Sequence, residues 1–288
     1  MLPTTTHPFV SAKADGPDAT LVRPSNWNAN HTHVGFPRSY LAGLGLSNDA
    51  GDLTNDISIA VGECQDSTNA RDLILAAVLV KRLDAAWAVG TNAGGLDTGA
   101  IANNTYHVHL IKRSDTSVVD ALFSLSATAP TMPTSYDFRR RIGSIVRSGG
   151  TILAFTQDGD YFTWTVATLD SDQTDPGTAA VTVTLTVPTG INVRAVMNAQ
   201  LQRGGAGATV IALLTDLAMT DVGPATLTAT LGQLMQISDG TTTKGQSGQI
   251  TIRTNTSAQI RSRLSVSEVS TRLAIATQAW FDRRGRDA

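Results

Sequence analysis

Between residues 180 and 187 the chain reads AVTVTLTV, a run that admits one regular structure. A period of two places Val181, Val183, Leu185 and Val187 on one face of an extended strand and Thr182, Thr184 and Thr186 on the other. β-Branched residues lose side-chain freedom in a helix and keep it on a pleated surface. A strand of this kind is a pairing hazard when its edge is bare, so a second sheet or sister copies must cover it. Related apolar or alternating runs occupy residues 58–61, 71–81, 85–90, 106–112, 118–124, 140–147 and 152–156, separated by Gly, Asn, Asp and Pro. Further runs follow at 192–201, 210–214, 226–231, 249–254, 259–265 and 273–281. Short strands at this spacing predict a sandwich or barrel, and no fixed repeat supports a solenoid.

The pattern sets the organisation. Residues 1–38 are rich in Pro, Thr, Asp, Asn and His and show neither strand nor helix period, which predicts an extended arm that gains order against a neighbour. The polar run 169–178, LDSDQTDPGT, reads as a linker, and Ser114-Asp115 and Asp158-Gly159 read as hairpin turns. The fold expected is mainly β: the N-terminal arm, then two β-sandwich or jelly-roll-like domains at 39–168 and 169–288. Residues 70–83, ARDLILAAVLVKRL, hold enough Ala and Leu for a helix, but their β-branched content and their place in the pattern favour a strand. The tail at 283–288, RRGRDA, is expected to be exposed.

Composition narrows the function. Charged residues make up 16% of the chain, below the roughly 25% of ordinary proteins, and Thr, Ala, Gly, Ser and Asn take their place. The net charge of −2 and the absence of any like-charge block except Arg139, Arg140 and Arg141 argue against a nucleic-acid partner. Cys64, the single cysteine, cannot close an intrachain disulfide and reads as a free buried thiol, with pairing between identical chains as the alternative. No basic-then-apolar leader opens the chain, and no run of 18 apolar residues occurs, so neither secretion by signal peptide nor membrane insertion is expected.

Residues 21–35, LVRPSNWNANHTHVG, resemble the short lead-in segment of many tailed-phage and prophage virion proteins, where a form such as RPSxWNAxH joins an attachment region to a fibre or spike body. The stretch 40–70, YLAGLGLSNDAGDLTNDISIAVGECQDSTNA, is similar to the module behind it in tail-fibre-like proteins of phages infecting alphaproteobacteria. The likeness continues through residues 91–124, 130–147 and 155–164, and it also tilts residues 70–83 towards a strand. None of these motifs is catalytic. The resemblance implies a virion protein on the tail or capsid exterior. Such a protein would dock on other virion proteins through Arg23, Trp27 and Asn28, assemble as a homotrimer and adhere to host-surface polysaccharide. A capsid-decorating, head-fibre or connector protein without a receptor is the alternative, and a polysaccharide-degrading spike a more distant one. No cofactor is expected.

Several residue groups could carry chemistry. His31 and His33 lie beside Trp27, and three copies of the pair could give a metal six imidazoles on a threefold axis; they could equally be turn histidines against a partner. Period two aims His107 and His109 at one strand face, where they could ligate metal, touch a glycan or face water. Asp170, Asp172 and Asp175 could recruit calcium but lack the Gly and terminal Glu of an EF-hand loop, so a solvated turn is the simpler reading. The glycines of residues 90–99, GTNAGGLDTG, lack a P-loop's Gly-Lys-Ser/Thr and suit turns. Arg139 to Arg141 could meet an anionic glycan or another subunit, or alternate towards water. Trp280 could stack on a sugar, although alternation with Phe281 sends one of the two into the core. Glycoside hydrolysis needs two placed carboxylates, and the only glutamates are Glu63 and Glu268; no Gly-x-Ser-x-Gly elbow occurs. The chain is therefore expected not to be an enzyme.

Overall fold

The computed structural model describes residues 4–5, 10–18, 20, 23–28, 31–32, 35–204, 209–224, 234–236 and 243–286. It is mainly β, as the alternation requires, and its strands form five sheets. The largest has eight strands in the order Thr151–Ile152, Tyr136–Ser148, Thr105–Arg113, Val119–Ser124, Ala93–Leu96, Leu79–Ala86, Asp56–Ile59 and Leu46–Asn48. Its pairs are antiparallel except where Ala93–Leu96 lies parallel to each of its neighbours. A five-stranded sheet runs Phe155–Asp158, Tyr161–Thr174, Thr271–Phe281, Arg194–Arg203 and Lys244–Arg253. Val181–Thr184, Gln259–Leu264, Val210–Thr215 and Leu234–Gln236 make a third sheet; Leu41–Gly43, Gly62–Gln65 and Asp72–Leu75 make a fourth. Thr4–Thr5 pairs with His31–Thr32 in the leader.

The Thr-alternating run is strand only over Val181–Thr184, but its alternation of burial continues to Val187. Val183, Leu185 and Val187 are buried while Thr182 and Thr184 are exposed. Residues 70–83 give strands Asp72–Leu75 and Leu79–Ala86, not a helix. Gly159, at φ +60°, turns the chain between Phe155–Asp158 and Tyr161–Thr174, where Asp158-Gly159 marked a hairpin. The expected run at 226–231 lies outside the described residues.

One expectation fails at residues 169–178. The stretch read as a linker is mostly strand, because Tyr161–Thr174 continues through it and pairs along Thr271–Phe281 as far as Thr174 opposite Arg272. Asp172 and Thr174 face outward while Asp170 turns in to bond Thr186 and Thr277, and the ladder satisfies a backbone that composition alone assigns to loop. The division at 168/169 therefore falls inside a strand. One apolar cluster draws Leu44, Ile57, Tyr106 and Phe123 together with Leu201, Leu214 and Trp280 from the second half.

The strand Thr105–Arg113 is buried on both faces, where the sequence showed one apolar face. Tyr106, Val108 and Leu110 enter the main core, and Ile111 packs with Leu122 and Tyr136. His107 and His109 are buried instead of facing water, because chain from both halves crosses this face: a Cβ at Gly190 would stand 2.9 Å from His107 Nε2.

The C-terminal tail is likewise not the exposed end its charge suggests. Asp282 and Arg284 are buried. Arg284 donates from Nε to the Ile142 carbonyl at 2.7 Å and from Nη2 to the carbonyls of Gly43 and Leu44, and Arg286 pairs with Asp160. Trp280 is buried and stacked on Phe162 with ring centroids 5.0 Å apart, whereas Phe281 stays partly exposed. Cys64 is a free, buried thiol, and burial pushes its pKa up to about 12. In the leader, residues Pro24–Asn28 form one short helix within the segment expected to be extended. Pro24 opens it, where a missing N–H costs nothing. Among the described residues no helix is long and apolar enough to cross a membrane.

Candidate functional site

The strand Tyr136–Ser148 carries the three consecutive arginines, and its pairing with Thr105–Arg113 fixes where each points. Arg141 lies opposite His109 and Arg139 opposite Ile111, so these side chains share one face. Arg140 lies opposite Leu110 and takes the core face. A register shift at Val108/His109 leaves Ile142 as an extra residue, a bulge that re-aims the strand next to Arg141.

On the Arg139 and Arg141 face a cavity of about 400 Å³ opens. Its walls come from distant parts of the chain: the loop at 127–128, the turn at 190–192, Thr256, and the tail at 282–285. Four arginines, Arg139, Arg140, Arg141 and Arg283, line it with a single carboxylate, Asp282, and with His109.

The polar groups divide into satisfied and unsatisfied. Arg141 grips Asp282 through two parallel bonds of 2.6 and 2.7 Å and donates to Ser144 Oγ at 3.0 Å, which also meets His107 Nδ1 at 2.9 Å. Burial opposes the Asp282 charge, but Arg141 and the Arg284 N–H outweigh it and hold this carboxyl below the usual range. Arg139 spends Nε and Nη2 on the Thr128 carbonyl, at 3.2 and 2.9 Å. Arg140 is wholly buried and reaches the Asp66 carbonyl at 3.4 Å, while its Nε and Nη2 have no partner. Neither Arg139 nor Arg140 is paired with a carboxylate among the described residues. His109 Nε2 lies 3.0 Å from the Ser126 carbonyl, which only accepts, so Nε2 carries the proton and Nδ1 is an acceptor. That Nδ1 is buried and without a partner. Burial lowers the pKa of His109 to about 3 and that of His107 to about 4, so both rings are neutral near pH 7.

A second concavity, about 760 Å³, is lined by Trp87 and Tyr136, whose rings meet edge to face at 5.2 Å. Its cation, Arg113, is already paired with Asp115 at 2.6 Å. In the first cavity, by contrast, Arg139 has no carboxylate partner among the described residues.

The remaining sequence candidates scatter. His31 contributes backbone to the pair Thr5 and His31, and His33 lies outside the described residues. Trp27 and Asn28 sit in the short helix; Asn28 Oδ1 accepts from the Ser11 N–H and Nδ2 donates to the Ser11 carbonyl, both at 2.9 Å. Arg23 donates from Nε to the Asp18 carbonyl at 3.1 Å. The aspartates read as a calcium cluster go separate ways. Asp170 accepts from Thr186 and Thr277, Asp172 pairs with Arg272, and Asp175 accepts from Ser267. Among the described residues no group of three His, Cys, Asp or Glu could hold a metal. Glu63 accepts from the Tyr40 hydroxyl at 3.0 Å and Glu268 pairs with Arg203, so the two glutamates have separate partners. The burial of Arg140, Asp282 and Arg284 escaped the sequence reading. Its one local signal is Asp282, an acid set between an apolar strand and an arginine-rich end.

No protein-family model and no curated protein matches the sequence. Among solved structures the chain is similar to that of the infectious bursal disease virus Gx strain, with a TM-score of 0.20, 10% identity, 84% of this chain and 69% of that one covered. The Gt strain structure gives 0.17, 10%, 85% and 72%. Infectious bursal virus derived T=1 particles give 0.14, 12%, 84% and 76%.

Proposed function

We propose that the protein is a virion structural component of the tail-fibre type. Its leader docks on other virion proteins, and its β body, assembled as a homotrimer, adheres to bacterial surface polysaccharide. One observation carries this reading: described residues of the leader bond to one another and give it local order. In the leader, Ser11 bonds to Asn28, Asp15 to Ser25, Asp18 to Thr20 and Arg23 to the Asp18 carbonyl. Phe36 and Ser39 donate to Asp72 and Asn69 in the body. A leader with local order of its own suits docking on a neighbour, and it is the same segment that resembles phage lead-in sequences.

The surface supports assembly. Leu53, Val166 and Leu169, which are 62%, 77% and 60% exposed, border one concavity of about 580 Å³ beside Trp164. Apolar side chains grouped in this way are wet in a lone copy and dry between copies. Trimeric presentation would multiply weak sugar contacts, so adhesion needs no single tight site and no catalytic step.

Removing residues 1–38 and following two readouts tests the reading. Loss of particle incorporation with retained binding to host cells is expected. Incorporation without the leader contradicts the docking role. Absence of cell binding by the full chain contradicts adhesion and leaves a connector or decorating protein.

A further inference from the structure

We propose that the outward face of the five-stranded sheet, with the bulge at residues 164–167 on its margin, is the surface on which copies of this chain pack against one another. The inference rests on the trimer reading and names the part of the body that forms the contact.

The bulge marks the margin. Thr163 pairs with Ala279 and Thr168 with Thr277, so residues 164–167 stand opposite the single residue Gln278. Thr165, Val166 and Ala167 are thereby pushed into solvent. Beyond the bulge, pairing sets the outward rows. Leu169, Ala276, Asn198 and Gln249 lie side by side across four strands, each exposed or half-buried. Asp172, Ala274, Gln200 and Ser247 form the next row.

Charge on these rows cancels, because Asp172 pairs with Arg272 on the same face. What remains is amides, a hydroxyl and aliphatic groups, which meet a like surface without repulsion. Amides both donate and accept, as Gln249 does when it donates to Gln278 Oε1 at 3.1 Å, so they can bond across a contact between identical chains. Neither row carries an aromatic ring on which a sugar could stack, so a protein surface suits this face better than a glycan. Arg194 and Arg253 close one end as a charged rim.

Area agrees. The central pair, Arg194–Arg203 against Lys244–Arg253, is 10 residues long. With about 3.4 Å per residue and about 4.8 Å between strands, four strands offer roughly 650 Å² of sheet. A stable contact takes about 800 Å² per partner, and the exposed Leu53 and Val166, which share a concavity with Leu169, extend the face towards that size.

Native mass measurement and hydroxyl-radical labelling of the full chain test this. Val166 and Val269 are 77% and 84% exposed in a single copy, yet Val166 is expected to label several-fold more slowly in the assembled protein. Gln200→Arg and Ser247→Arg are expected to raise the trimer's dissociation constant by about a hundredfold or more, with strand content retained by circular dichroism. Thr182→Arg, at an exposed position on another sheet, is expected to leave the trimer intact. If Gln200→Arg and Ser247→Arg stay trimeric, or Thr182→Arg dissociates equally, this face is overturned and the trimer stands. If they stay trimeric and lose binding to host cells, the face carries a glycan, which overturns the proposal as well. Should a variant misfold, the labelling decides, and a wild-type Val166 labelled as fast as Val269 overturns the contact. A monomeric wild type overturns this proposal and the trimer reading together.

Discussion

Lys81 and Asp120 form an ion pair of 3.1 Å with both side chains fully buried. Lys81 Nζ also donates to the Ala88 carbonyl at 2.6 Å and lies 5.5 Å over the Trp87 ring, and Asp120 accepts from the Gly90 and Ala121 N–H groups. Burial holds the Lys81 pKa below its usual value, and Asp120 offsets this only in part. Removing one partner leaves the other uncompensated, so Lys81→Ala is expected to lower stability by about 3–5 kcal/mol in urea unfolding. The double change Lys81→Met with Asp120→Leu is expected to recover much of that. The buried histidines set a second expectation. With folded pKa values near 4 for His107 and near 3 for His109, against about 6.5 unfolded, the unfolded chain takes up protons first. Their contribution is intact above about pH 6.5 and is lost as pH falls towards 4, at about 1.4 kcal/mol per pH unit for each ring. Melting temperatures between pH 7 and pH 5 should therefore fall, and less steeply in His107→Gln. Neither feature was legible from sequence, because a lone Lys or His in an alternating run gives no sign of what covers its second face.

At the scale of elements, the runs with strict alternation were legible and those with mixed composition were not. AVTVTLTV and the Leu273 and Ile275 part of the strand Thr271–Phe281 declare their inner faces through aliphatic residues at every second position, whereas at the strand's end Trp280 and not the in-phase Phe281 is buried. The second half of Tyr161–Thr174 is Asp, Ser, Gln and Thr, and only its partner strand shows that it is paired. Glycines in residues 90–99 were read as turn formers. Gly94 instead permits a close crossing, since a Cβ there would fall on the Ala86 carbonyl oxygen. Gly94→Ala is expected to force the parallel strands apart at a cost of about 1–3 kcal/mol, measured by denaturant midpoint at constant m-value.

Across the whole molecule, the tail and the shared core join what the sequence divided. Arg284 reaches the carbonyls of Gly43, Leu44 and Ile142, and Arg141 holds Asp282, so the last described residues fasten the first strands of the body. Truncation after Phe281 is expected to lower the melting temperature sharply. The intact body should unfold in one calorimetric transition, because Trp280 and Leu44 belong to the same apolar cluster. The arginine cavity depends on this closure, which explains why the sequence left a glycan, another subunit and water all open for Arg139 to Arg141: its walls arrive from residues 190 and 282–285. In the proposed trimer, three copies of this body cover each other's exposed apolar surface. Native mass measurement of the full 30.2 kDa chain tests it most directly. A species of three times that mass that persists on dilution is predicted, and a stable monomer at working concentration contradicts the account.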